Sequence, residues 1–303
     1  MAMPEAELVG VYDILPDRTA HVARALGTRA CASREELLDR VSAVTIAVPT
    51  PVHGEVGVAA LSAGVAVFME KPLAASLDEA DALLLAAGRH GALLQVGHIE
   101  RFNRALRAAT PYLDRPLFIE GERLAPFQPR GTDVPVVLDL MIHDLDLILH
   151  LAGGASAVDV RANGAAVLSG LLDVAHARVE FSSGMVASVT ASRIAEERVR
   201  RLRIYQAEGY LALDLASGRG EFLRLRNGWA PGAARELDDV AERVPLETHA
   251  ADALRLELAG FLGAVRGEPN PVVSGDEGRA ALELALKVTE AVRLAPLAVH
   301  ADS

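Results

Sequence analysis

Several absences narrow the reading before any motif is considered. The chain has a single cysteine, Cys31, so an internal disulfide and a cysteine metal cluster are both excluded, which fits a reducing compartment. A lone cysteine of this kind ordinarily serves as a small buried hydrophobe. Positive charge is scarce: 30 Lys and Arg stand against 41 Asp and Glu, for a net charge of -11. Nothing therefore offers the basic stripe that a nucleic acid or an acidic membrane surface needs. Every long apolar stretch is broken by charge or glycine, and no charged-then-apolar leader opens the sequence, so the expectation is a soluble, cytoplasmic protein. Also missing is a Gly-x-Gly turn after any early strand. What is plentiful is apolar surface, 51% of 303 residues, enough for two ordinary cores and hence two expected domains.

The first half alternates short β-rich runs with helical patterns. ELVGVYD (Glu7 to Asp13) reads as a strand ending on a carboxylate, Asp17 to Leu26 as a helix, and Arg29 to Cys31 as a brief strand. Ser33-x-x-Glu36 and Ser76-x-x-Glu79 are capping boxes that open helices. SAVTIAV (Ser42 to Val48) is a continuous apolar run of the kind a parallel sheet buries on both faces. Pro51 to Gly64 reads as a helix with Pro at its start and Gly at its end. VAVFMEKP and ALLQVG supply two more strands. Strand and helix in this alternation predict an α/β fold with a doubly wound, Rossmann-type parallel sheet over residues 1–97.

Beyond Gly97 the rhythm changes. A helix is predicted from about Phe102 to Leu113, then an extended stretch from Leu117 to Leu124. VVLDLMIHDLDLILHLAGG reads as one helix stopped by paired glycines. From Ala157 to about Asn227 strand follows strand, and segments such as MVASVTASR and RRLRIYQ suit an open, mainly antiparallel sheet with one packed face. Two helices close the chain, Asp252 to Val265 and Asp276 to Arg293. Residues 98–303 are thus expected to form a second α/β domain, its terminal helices packing back on the first.

Two features carry chemistry. Glu70-Lys71-Pro72 falls at the end of a parallel strand, where open α/β sheets bind ligands, so Lys71 is placed to reach a substrate; a solvated surface lysine is the plainer reading. In DLMIHDLD, Asp139 and His143 are four apart on a predicted helix and share a face, with Asp146 three further on. The pair is either a satisfied core contact or a base whose tautomer the carboxylate sets. One histidine among carboxylates lacks the ligand spacing of a metal site. Asp13, at its strand end, either caps a loop or holds the adenosine ribose. In the second case it favours NAD over NADP, because a carboxylate repels a 2′-phosphate and no arginine follows it immediately.

AVPTPVHGEVGVAALSAGVAVFMEKPLA, followed by VGHIERFN and LDLMIHDLDLILHLAGG, closely resembles the Gfo/Idh/MocA family of nicotinamide-dependent sugar and polyol dehydrogenases. The resemblance runs from Glu7 to the C-terminal helix. It implies that Lys71, Asp139 and His143 are the catalytic set, that Pro49, Thr50 and His53 pass near the nicotinamide half of NAD, that Glu70 neighbours a ribose, and that Lys71 also meets the cofactor. It also implies a C-terminal sheet used in homo-oligomer contacts. GHIERFN with RGTDVPVVLDLMIHDLDLIL resembles the branch that oxidises the 3-hydroxyl of UDP-N-acetylglucosamine to a ketone, which an aminotransferase can aminate toward a 2,3-diamino sugar of lipid A-type glycolipids. For a nucleotide-sugar substrate, Arg101, Asn103, Arg123, Arg130 and Arg193 are the candidate contacts, by the preference of phosphate for guanidinium. For each arginine alone an ion pair is the rival reading. An inositol or other polyol dehydrogenase is the alternative within the family.

The family begins with a strand, a glycine-rich turn and a helix whose N-terminus carries the pyrophosphate, and none of these precedes Glu7. Three explanations are open: a start further upstream, a non-catalytic sugar-binding or scaffolding relative, or a strand supplied by another chain. Without that strand, which would sit at the middle of the parallel sheet, the neighbouring strands are expected to be left unpaired and a hydrophobic groove open.

Overall fold

The computed structural model describes residues 3–128, 134–228, 232, 236–270 and 272–294. They form two compact units. The first takes in residues 1–97 and 255–279, and the second residues 98–254 and 280–303. Residues 255–279, from the C-terminal part of the chain, thus cluster with residues 1–97.

In the first unit the chain runs β1 (Gly10–Val11), α1 (Pro16–Leu26), β2 (Arg29–Ala30), α2 (Arg34–Leu38), β3 (Ala43–Ile46), α3 (His53–Ser62), β4 (Ala66–Glu70), α4 (Leu77–His90) and β5 (Leu94–Gly97). All its pairings between these strands are parallel. Both expected capping serines act as such: Ser33 Oγ accepts the N–H of Glu36 and Ser76 Oγ that of Glu79, each occupying a donor the first turn leaves unpaired. The strands form two separate ladders, β1-β2 and β3-β4-β5. Among the described residues β1 and β3 therefore pair on one side only. The middle strand β4 is wholly apolar until Glu70 and buried along its length. Its Phe68 packs edge-on to Phe261 of helix Ala253–Val265, centroids 5.7 Å apart.

The second unit contains α5 (Arg104–Ala109), β6 (Phe118–Leu124), a π-helical turn (Val137–Met141) running into α6 (Ile142–Leu151), and β7 (Ala157–Ala165), β8 (Val174–Phe181), β9 (Val186–Ser192), β10 (Val199–Gln206), β11 (Gly209–Asp214), β12 (Arg219–Leu225) and β13 (Ala241–Pro245). These strands make one eight-stranded sheet in the order β13-β12-β11-β10-β6-β9-β8-β7, antiparallel except for β6 with β9. Burial alternates along β6, β8, β9 and β10, as a sheet packed on one face requires. The inner rows, with Ile119, Val179, Val189, Leu202 and Ile204, share a core with Leu145 and Ile148 of α6 and with Ala281 and Val288 of helix Gly275–Leu294.

Two predicted helices differ from expectation. The stretch from Phe102 to Leu113 is α-helical only over α5, because Asn103 caps a new start and Pro111 sits in a closing 3₁₀ turn. The segment around Asp139 begins as a π turn rather than an α-helix, a local widening often met at functional positions.

Candidate active site

In the first unit the predicted residues gather at the carboxyl ends of parallel strands. Asp13 follows β1 and is fixed by its own turn. Its backbone N–H donates to Thr19 Oγ1 (2.9 Å), its Oδ1 accepts the N–H of Leu15 (2.9 Å) and its Oδ2 accepts Arg18 Nη1 (3.2 Å). The side chain keeps 28% of its exposure, and each carboxylate oxygen retains a lone pair for a ribose hydroxyl. Arg18, five residues on, is the arginine the sequence did not place beside this acid.

Pro49 and Thr50 follow β3, and Glu70 and Lys71 end β4 with their side chains half-buried. Gly97, opposite Glu70 in the β4-β5 register, stands where a Cβ would lie 3.4 Å from Glu70 Oε2. The Lys71-Pro72 peptide bond is cis. His53 departs from its expected role. Its ring is buried and bridges the carbonyl oxygens of Val48 and Pro72, 2.9 Å from each. With both ring nitrogens turned to backbone carbonyls, neither faces a cofactor, and the single N–H of either neutral tautomer ties the ring to one of the two turns.

In the second unit Asp139 lies on the π turn and His143 on the first turn of α6, both half-buried. The next residues are buried acids, each gripped by an arginine fork. Arg123 Nε and Nη2 each donate to one oxygen of Asp144 at 2.8 Å, and its Nη1 donates to Glu100 Oε1 at 2.8 Å. Arg101 Nε and Nη2 donate to Asp146 at 2.6 and 2.8 Å, and its Nη1 lies 2.7 Å from His150 Nδ1. Burial alone lowers the Arg123 guanidinium, but Asp144 and Glu100 outweigh it and raise the group above its ordinary value. Arg200, which also reaches Glu100 at 3.4 Å, is lowered by burial and by the nearby Arg123.

This geometry corrects most of the expected phosphate contacts. Arg123 is 2% exposed and all its guanidinium nitrogens serve internal carboxylates, so it cannot meet a ligand. Arg101 is committed to Asp146 and His150. Arg193 is buried beside Asp173 (3.8 Å) and donates to the Val134 carbonyl (2.5 Å), holding the chain just before the π turn. Asn103 accepts the Ala105 N–H and donates to Glu100 Oε2 and the Leu215 carbonyl, a helix cap with its amide fully engaged. Arg130 lies outside the described residues. Two signals for this network were present in the sequence. Arg123 shares core parity with Ile119 and Gly121 on β6, and a charge at core parity demands a buried partner. Gly121, between two glutamates, marks a close approach: a Cβ there would lie 2.6 Å from Val189 Cγ1 and 3.7 Å from Asp144 Cβ.

A family model described as an oxidoreductase family with an NAD-binding Rossmann fold matches residues 1–98, and that of the GFO/IDH/MocA C-terminal domain matches residues 112–212. UDP-N-acetylglucosamine 3-dehydrogenase of Acidithiobacillus ferrooxidans is 39% identical over 295 residues, 95% of this chain and 90% of the relative. The chain belongs to the Gfo/Idh/MocA oxidoreductase family. A solved structure of the A. ferrooxidans dehydrogenase superposes on this Gfo/Idh/MocA protein with a TM-score of 0.87 at 37% identity, covering 95% of this chain and 90% of that one. scyllo-Inositol 2-dehydrogenase (NAD(+)) of Bacillus subtilis is 28% identical over 312 residues, 96% of this chain and 88% of the relative.

The Gfo/Idh/MocA chain is an oxidoreductase with a Rossmann domain, and NAD is its cofactor. The strand-end residues fit that group. Asp13 offers two lone pairs to a ribose, and Glu70 and Lys71 stand at the carboxyl edge of β4, where open α/β sheets bind nucleotides. Among the described residues no Gly-x-Gly turn opens a helix in this unit.

Proposed function

We propose that the chain oxidises the 3-hydroxyl of UDP-N-acetylglucosamine to a ketone. The observation that carries this reading is 39% identity to the A. ferrooxidans enzyme along 95% of the chain. His143 takes the proton of the reacting hydroxyl, and Lys71 donates a hydrogen bond to the same oxygen and stabilises its growing negative charge. Asp139 orients His143 or the sugar. NAD, when bound, supplies the hydride acceptor. A neutral imidazole is needed to take the proton. Arg101 and Arg193, engaged as they are, leave the diphosphate to groups not identified by ion-pair chemistry alone.

The enzyme acts as a cytoplasmic homo-oligomer joined through the outer face of the eight-stranded sheet. In support, that face carries both signs of charge, Glu120 and Glu122 beside Arg201 and Arg203, and no helix among the described residues is long and apolar enough to cross a membrane. Light scattering of the purified chain tests the oligomer, and a monomer at working concentration would remove it.

The test of function is NADH formation from UDP-N-acetylglucosamine set beside scyllo- and myo-inositol. Turnover of the nucleotide sugar alone is expected, and loss of that turnover in Lys71→Ala. The B. subtilis relative favours a polyol dehydrogenase as the second reading, and preference for an inositol would select it. A fluorescence titration with NADH separates both from a chain that binds sugar without catalysis.

A further inference from the structure

His143 sits between two buried acids, and each is seized by a two-pronged arginine. At about 100° per residue, Asp144 lies about 100° round α6 from His143 in one direction and Asp146 about 60° in the other. The Asp144 fork comes from Arg123 on β6, and the Asp146 fork from Arg101 in the 3₁₀ turn Ile99–Phe102. Glu100, from that same turn, accepts the third arm of Arg123, so turn, strand and helix are cross-linked by one connected set of charge-assisted bonds. Gly121, two residues before Arg123 on β6, faces the same acid: a Cβ there would stand 3.7 Å from Asp144 Cβ, in ordinary contact with α6.

Apolar packing alone holds a helix to a sheet but resists rotation about the helix axis poorly, because neighbouring rotations present similar surfaces. Planar forks do resist it, since a carboxylate meets both arms of a guanidinium in one orientation. With one fork on each flank of His143, rotation either way stretches one pair.

We propose that the Arg101–Asp146 and Arg123–Asp144 pairs form a rotational clamp that aims the His143 imidazole, making Asp146 and Arg101 positioning residues for proton removal. The inference rests on the reading of His143 as the base. Asp146 is 1% exposed, so it acts through the helix and not by touching substrate. A misaim of about 1 Å costs on the order of 100-fold in rate, so loosening one fork is expected to lower kcat by about 10- to 100-fold.

The experiment is steady-state turnover of Asp146→Asn, His143→Gln and the double variant of the full chain, with UDP-N-acetylglucosamine and NAD and a thermal-melting check of folding. Expected is a kcat loss in Asp146→Asn with KM for both substrates within about twofold, partial recovery in Asp146→Glu, and little further loss when Asp146→Asn is added to His143→Gln, since a residue acting through another shows such non-additivity. Asp81→Asn, which breaks a bidentate pair with Arg279 in the first unit, should leave kcat unchanged. Full kcat in Asp146→Asn, or losses that multiply in the double variant, overturns the clamp while the base reading stands. Full turnover in His143→Gln overturns that reading and the clamp with it. Should Asp146→Asn not fold, Arg101→Lys, which keeps the charge and loses the fork, carries the same comparison.

Discussion

The acids at the strand ends of the first unit and those around α6 in the second are held in different ways. Asp13 is fixed by contacts within six residues of itself, to Leu15, Arg18 and Thr19. Glu70 and Lys71 are delivered by the end of a buried strand. Asp144 and Asp146, by contrast, depend on Arg123 and Arg101, which stand 21 and 45 residues away. Local placement fails locally, whereas a buried ionic cross-link fails as a whole, because each charge left behind is desolvated and unpaired.

Four substitutions would break or sharpen this contrast. Arg123→Ala leaves Asp144 buried without its cation, and Glu100 with only the longer contact to Arg200, and is expected to cost about 3–5 kcal/mol, read from urea unfolding of the whole chain; a loss near that of a surface pair would show that water reaches the site. Gly121→Ala puts a Cβ 2.6 Å from Val189 Cγ1, so Val189 must move, and should cost about 1–3 kcal/mol in the same urea unfolding; no loss would show that the Val189 side chain turns aside freely.

Asp173→Asn comes next, at about 2 kcal/mol at neutral pH. Burial pushes this carboxyl up, but the Ser169 hydroxyl and the N–H groups of Ser169, Leu168 and Val167 outweigh it and hold the group well below the usual carboxylate range. A depressed native pKa stabilises the fold above the unfolded value, about pH 4, and that contribution is lost as the pH falls toward the native value. The gap between wild type and variant should therefore close in acid, and a pH-independent gap would assign the effect to packing. Ser76→Ala, which removes the cap of α4, should cost about 1 kcal/mol and leave turnover intact.

The same contrast explains what could be read from sequence. The doubly wound half, the open antiparallel sheet, both serine caps and the strand-end position of Lys71 follow from periodicity and local chemistry, and the structure has them. The surroundings of His53 and Asn103 are not legible in sequence because their partners, the carbonyls of Val48, Pro72 and Leu215, are backbone atoms brought near only by the fold. Arg101, Arg123 and Arg193 meet internal partners for a related reason: a guanidinium suits phosphate and carboxylate equally well, and only tertiary structure says which it meets. Parity along β6 was the exception, since Arg123 in register with Ile119 already announced a buried charge.

The two short ladders of the first unit also bear on how this protein behaves in the tube. Strand β3 presents Val44 and Thr45, partly open to solvent, on an edge without a described neighbour, and exposed Tyr12 and Ile14 follow β1. Such edges accept extended peptide from any source. Concentration, freezing and mild heating would then act first here, and backbone amides of β1 and β3 should exchange with deuterated solvent well before those of β4, whose ladder is closed on both sides.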